Sequence, residues 1–265
     1  MRLDGKVAVI HGGGGAIGGA CARAFAREGA RVFLAGRTRA RLEEVADDIT
    51  RHGGHADVDV VDALDEAAVN RHADAVAARE GRIDISLNAL GIVHVQGTAF
   101  AELPLHEYTH PVDAYIRTNF ITAHAAARHM IPRGSGVILT LSTPGAKLSG
   151  TGFLGNGVAS AAVEAFSRLL AGELGGNGIR VVCLRPHAIP DAVPHSHTRE
   201  VFAASAAAAG TDIATMLSGM AGSGTLLGRL PTLAEVADVA AFAASDSAAA
   251  MTGTVINLTS GALVD

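Results

Sequence analysis

Between an apolar run, Val7 to Ile10, and a stretch of helical periodicity, Ile17 to Glu28, the chain places His11-Gly12-Gly13-Gly14-Gly15-Ala16-Ile17-Gly18. Glycines at a strand-to-helix turn permit positive φ and let the backbone approach a pyrophosphate, which then rests on the helix N-terminus. The chemistry this supports is dinucleotide binding, with Gly12, Gly14, Gly15, Ile17 and Gly18 as the candidate cradle. A second position of interest ends the next apolar run, where Gly36-Arg37-Thr38 follows Arg31 to Ala35. A carboxylate at such a place holds the ribose hydroxyls of NAD, whereas an arginine pairs with the 2′-phosphate of NADP. With glycine in the carboxylate position, Arg37 and Thr38 favour NADP(H); NAD(H) is the alternative, with Arg37 stacked on the adenine.

These residues need a scaffold that brings strand ends together. Branched apolar runs recur at Val7 to Ile10, Arg31 to Ala35, Ala56 to Val61, Ile83 to Leu87, Val137 to Leu141, Ile179 to Leu184 and Val255 to Leu258, and read as seven buried strands. Helical spacing fills the gaps at Ile17 to Glu28, Ala40 to Thr50, Glu66 to Arg79, Val112 to Ile131, Val158 to Leu174 and Leu233 to Ala244. Strict alternation predicts an α/β doubly wound parallel sheet with helices on both faces, binding its ligand beyond the carboxyl ends of the strands. One domain of 265 residues is expected, with a lid-like segment at about 186 to 230, rich in proline, histidine and glycine.

Composition narrows the partners. No run approaches the roughly 18 uninterrupted apolar residues of a membrane span, and Met1 to Lys6 shows no export pattern, so a cytoplasmic protein is expected. A net charge of −5 with scattered arginines argues against nucleic acid, leaving a small-molecule substrate. Cys21 and Cys183, the only two cysteines, lie in apolar runs and suit buried thiols; no metal site is built from them.

The glycine turn resembles the Thr-Gly-x-x-x-Gly-x-Gly pattern of the short-chain dehydrogenase/reductase family, with His11 for the threonine and Ala16 for the middle glycine. The resemblance continues through Asp62-Ala63-Leu64-Asp65, Asn88-Ala89-Leu90-Gly91, Leu184-Arg185-Pro186-His187-Ala188-Ile189 and Met251-Thr252-Gly253-Thr254, and so spans the chain. It implies a Rossmann fold, adenine contacts from Asp62 and Ala63, further cofactor contacts from Asn88, Gly91, Pro186 and Ile189, and His187 where the family has glycine. It also implies a homo-oligomer, dimer or tetramer, built on the helices Val112 to Ile131 and Val158 to Leu174. For Asp62, a plain turn or cap residue is the competing reading.

Reactive members of that family use an asparagine, a serine, a tyrosine and a lysine four residues after the tyrosine. Matched position by position, these fall on Asn119, Thr143 (with Ser142 as its neighbouring alternative), Asn156 and Ser160. The wider tyrosine spacing of enoyl reductases falls on Phe153. The two tyrosines, Tyr108 and Tyr115, precede this helix, and the two lysines are Lys6 and Lys147. An amide donates a hydrogen bond but is no general acid near neutrality. His94 and His187 are the candidate stand-in proton donors, and Asp191, His195 and His197 lie on the lid; each has a purely structural alternative. His195 and His197 lack a third metal ligand by spacing, and Glu107, Asp113 and Arg117 read as solvated helix charges. The leading expectation is an NADP(H)-dependent oxidoreductase working without the usual acid, on an iminium, an activated double bond or through a histidine. A cofactor-binding pseudoenzyme that serves as a partner subunit, and a non-redox lyase, isomerase or cyclase, are the alternatives.

Overall fold

A computed structural model describes residues 1–264. Seven strands form one parallel sheet in the order β3-β2-β1-β4-β5-β6-β7, with β1 Val7–His11, β2 Arg31–Gly36, β3 His55–Val60, β4 Ile85–Asn88, β5 Gly136–Leu141, β6 Ile179–Pro186 and β7 Thr254–Leu258. The helices are α1 Ala16–Arg27, α2 Arg39–Arg51, α3 Glu66–Glu80, α4 Leu105–Met130, α5 Leu154–Leu174, α6 Thr198–Ala208, α7 Ile213–Gly222 and α8 Leu233–Ala244.

Side chains alternate across the sheet because successive Cβ atoms point to opposite faces. Ala8 and Ile10 of β1 face one layer with Cys21, Phe25, Leu42, Val45 and Ala240, from α1, α2 and α8. Val7 and Val9 face the other layer, with Val69, Val76, Ile121 and Leu174 from α3, α4 and α5. Both cysteines are buried and free, and burial pushes the Cys21 thiol up to about 12.

The seven runs are strands, but not all are buried. The edge strand β3 is largely exposed and β7 half-buried, since each has a sheet neighbour on one side only. The fourth helix also differs from its expected start at Val112: α4 begins at Leu105 and runs through Pro111. A proline there removes one helical hydrogen bond, yet Pro111 is buried, and a Cβ on Gly155 of α5 would approach its ring to 3.1 Å. Tertiary packing outweighs the local penalty. Similarly, α5 starts at Leu154 rather than Val158. The lid segment holds a 3₁₀ turn, Pro190–His195, followed by α6 and α7. No single helix among the described residues is long and apolar enough to cross a membrane.

His11 ends β1 with only 3% exposure, its ring 6.1 Å from that of buried His72 on α3 and edge-on to it. Burial, then the neighbouring imidazole, lowers the His11 pKa to about 3. Burial also lowers that of His72, against the pull of Asp59, whose carboxylate lies 3.4 Å away. Both rings are neutral in the fold, whereas an unfolded chain binds protons below about pH 6.5. Stability is therefore full above that pH and is lost as pH falls from about 6.5 towards 3. The thermal midpoint is expected to drop between pH 7.5 and pH 5, and His11→Thr to flatten that drop; an unchanged slope in the variant refutes the assignment.

Candidate functional site

The strand order reverses at β1, which pairs with β2 on one side and β4 on the other. Ligands of such sheets bind in the crevice outside this point. Gly12 leaves β1 at φ +80°, and a Cβ there would lie 2.6 Å from the Ala89 carbonyl oxygen just past β4. A Cβ on Gly18 would collide with the Gly12 carbonyl oxygen. The turn thus folds back against α1 only because both residues lack side chains.

Gly15 caps α1 without any side-chain hydrogen bond, and the first turn carries no acidic residue. The leading N–H groups of α1 have no intrahelical acceptor, and the positive end of the helix stays open to an anion. Ala16 adds one methyl at this mouth and, with Ile17, packs against a small cluster of Ile189, Ala192 and Val236. That contact ties the cradle to the base of the lid. The residues present fit a pyrophosphate.

Around the rim, Arg37 and Thr38 are exposed at the end of β2. Thr38 caps α2 by position but spends no side-chain hydrogen bond on it, whereas Arg39 pairs with Glu43 at 3.4 Å. Arg37 has no ion-pair partner among the described residues. Asp62 accepts from Leu64 N at 3.0 Å, the turn geometry that was its competing reading, and Ala63 is buried in the core. Asn88 donates to Thr122 Oγ1 at 3.2 Å and accepts from Leu90 N at 3.2 Å, so its side chain braces the turn. Gly91 is exposed, with the ring of His197 from the lid beside it where any Cβ would collide. Pro186 ends β6, and buried Ile189 precedes the 3₁₀ turn of the lid.

Beyond β5 the structure joins three of the matched positions. Thr143 Oγ1 and Ser160 Oγ are 2.8 Å apart, and Asn156 Nδ2 donates to Thr143 Oγ1 at 3.4 Å. Ser142, the alternative to Thr143, points elsewhere: its hydroxyl donates to Glu164 at 2.7 Å. Glu164 in turn receives a two-pronged ion pair from Arg185, with Nε at 2.6 Å and Nη2 at 2.9 Å. Asn119 donates to Tyr115 O at 2.9 Å, while its buried Oδ1 has no partner. Thr143, Asn156 and Ser160 thus offer hydroxyl and amide hydrogen bonds but neither a phenol nor an ammonium. Tyr115 OH accepts from Ile92 N at 3.3 Å, and burial pushes its phenol up. Lys6 pairs with Asp246 at 3.2 Å.

His94, His187 and His197 are held below the usual imidazole range. His94 Nδ1 bonds Ile92 O at 2.7 Å and its Nε2 meets Gln96 Nε2 at 2.9 Å, which makes Nδ1 the protonated nitrogen. Gln96 Oε1 accepts from Ser205 of α6 at 3.3 Å, so this network links the loop after β4 to the lid. Burial lowers the pKa values of His94, His187 and His197, that of His197 to about 4. His187 Nδ1 accepts from Ala188 N at 2.6 Å. Asp191 caps α8 through Leu233 N at 3.1 and 3.2 Å, and His195 is exposed. No group of three or more metal-ligating side chains exists among the described residues.

Two cavities meet at Thr98. One, of about 410 Å³, runs from Phe100 and Leu103 to Gly152 and Leu154 at the start of α5. The other, of about 710 Å³, lies between α4 and α6 and is lined by His94, Gln96, His106, Glu107, His110 and Glu200 among others. Glu107 is therefore a half-buried wall residue rather than a solvated helix charge; Asp113 and Arg117 are exposed. Starting the helix at Leu105 would have revealed this, because Glu107 and His110 are three apart on one helical face.

A family model described as Enoyl-(Acyl carrier protein) reductase matches residues 14–262. Zerumbone synthase of Zingiber zerumbet is 34% identical over 192 residues, covering 72% of this chain and 71% of the relative. The solved short-chain type dehydrogenase/reductase from Mycobacterium marinum superposes with a TM-score of 0.84 at 28% identity, over 100% of this chain and 97% of that one. The 7 alpha-hydroxysteroid dehydrogenase solved with NADH and 7-oxo glycochenodeoxycholic acid gives 0.82 at 26%, over 98% and 95%.

Removing one partner of the Glu164–Arg185 pair strands a buried charge, which costs about 3–5 kcal/mol. Arg185→Met is expected to lower unfolding free energy in urea by that amount, and adding Glu164→Leu to restore most of it. Equal losses in the single and double variants contradict a net-unfavourable orphan charge.

Proposed function

The chain belongs to the short-chain dehydrogenase/reductase family of oxidoreductases, and from that premise we propose that it binds NADP(H) and transfers hydride to or from a small organic substrate without a tyrosine acid. The observation that carries this reading is the conjunction of an open phosphate cradle with the hydrogen-bonded Thr143, Asn156 and Ser160 cluster. The glycine turn and α1 hold the pyrophosphate, Arg37 with Thr38 the 2′-phosphate, and the Asn88 to Gly91 turn with Pro186 and Ile189 the nicotinamide half. When bound, the nicotinamide supplies the hydride chemistry.

The residues of this chain do the rest. Thr143 and Asn156 orient the substrate by hydrogen bonding, and Ser160 holds the Thr143 hydroxyl in place. Asn119 Oδ1, buried without a partner, suits an ordered water. The fold works as a homo-oligomer through the outer faces of α4 and α5, where Phe120 is 54% and Leu169 61% exposed. A soluble cytoplasmic enzyme of one domain completes the reading.

Calorimetric titration with NADPH and NADH tests the cofactor. A charge-assisted phosphate contact contributes about 1.5–3 kcal/mol, so Arg37→Ala is expected to weaken NADPH by roughly 10–100-fold and NADH by less than about threefold. Equal loss for both, or tighter NADH in the unaltered protein, rejects the NADP(H) assignment. A positioned acid contributes about 10²–10⁴-fold in rate, and the Asn156→Tyr/Ser160→Lys double variant is expected to gain ketone reduction of that order. Binding of NADPH without turnover of any carbonyl, imine or enone favours the partner-subunit reading instead.

A further inference from the structure

Resting on the proposed function, we infer that the hydride acceptor is a substrate already carrying positive charge at the reacting bond, an iminium, which enters through the groove between α4 and α6. The first support is the chemistry of the reacting cluster. Thr143, Asn156 and Ser160 give neutral hydrogen bonds only, so a ketone would develop alkoxide charge with no acid to quench it. The histidines nearby do not replace that acid. His94 spends its Nδ1 proton on Ile92 O and its Nε2 lone pair on Gln96, and burial holds His187 below the usual imidazole range, so that its remaining Nε2–H donates a hydrogen bond and not a proton near neutrality.

Hydride addition to an iminium carbon forms one C–H bond and turns the C=N π pair into a nitrogen lone pair. The reduced nicotinamide is oxidised in the same event, the amine leaves neutral, and no proton is consumed. This is the reduction that such a cluster can support.

The second support is the approach. The 710 Å³ groove is lined by His106, Glu107 and His110 of α4, Glu200 of α6 and His94 of the loop after β4, with no lysine or arginine in its lining. Glu200 has no cationic partner among the described residues, and Glu107 has only the adjacent His106 at 4.0 Å. The apolar part of the lining, Val93, Val95, Val201 and Ala204, suits the hydrocarbon of an organic cation. The groove and the second cavity share Thr98, and Gly97 N donates to Gly152 O at 2.7 Å in the loop just before α5, the helix that carries Asn156 and Ser160. A negative groove beside a proton-poor centre selects a cation over a neutral carbonyl or enone.

The test uses the full chain with saturating NADPH and two probes of similar shape, N,N-dimethyl tetrahydroisoquinolinium and β-tetralone, titrated by calorimetry. The cation is expected to bind at least about tenfold tighter. Glu107→Gln/Glu200→Gln is expected to weaken the cation by about tenfold, the effect of two partly exposed charges, and to leave the ketone within about twofold. N-methyl dihydroisoquinolinium, which cannot lose a proton to become a neutral imine, is expected to be reduced at a rate independent of pH between about 6 and 8. Equal affinity for both probes, or a cation affinity untouched by the double variant while circular dichroism shows it folded, overturns the inference. Failure to bind NADPH at all overturns the proposed function instead, and the two failures are read separately from the same titrations.

Discussion

The close approach of Gly12 to the end of β4 is the constraint on which everything else depends. With its Cβ position only 2.6 Å from the Ala89 carbonyl oxygen, any side chain at residue 12 would push the first turn away from the sheet. Gly18 presses on Gly12 from the helix side, so strand, turn and helix interlock. Because β1 is flanked by β2 and β4, this tight packing falls where the crossovers diverge and the sheet opens a crevice. A turn moved outward would also displace the N-terminus of α1, whose leading N–H groups lack intrahelical acceptors and so suit an anion.

Around that constraint the molecule distributes charge unevenly. In the cluster after β5, hydroxyls and an amide bond one another, and the imidazoles of His94 and His197 are held below their usual range by lost solvation. The full charges lie behind or beside it. Glu164 and Arg185 form a buried pair beneath Ser142, and Glu107 and Glu200 line the groove. In the proposed reading, a centre that only hydrogen-bonds leaves the charge to the substrate. The lid participates through the hydrogen bond of Ser205 with Gln96, through the ring of His197 packed beside Gly91, and through the apolar cluster joining Ala16 to Ile189 and Val236. Lid and cradle are thereby parts of one packed unit.

The seven strands and the alternation of elements were legible because branched apolar runs and helical spacing report burial directly. The edges were not. Ala56 to Val61 reads as a buried run, yet the strand there, His55–Val60, lies at the margin of the sheet, and no local pattern encodes which strand comes last in the order. The start of α4 was hidden by Pro111, a residue that breaks helices in isolation but here packs against α5.

By itself the amino-acid sequence determined the parallel sheet, the glycine turn and the absence of a tyrosine and lysine from the helix after β5, since these depend on residue type and order along the chain. Only the tertiary structure decided that Thr143 rather than Ser142 meets Ser160, that Asp62 and Asp191 serve turns and caps, and that Glu107 and Glu200 share one groove. Those outcomes depend on which way neighbouring side chains point and on contacts between segments up to a hundred residues apart. Such relations arise from packing, and one-dimensional spacing carries no record of them.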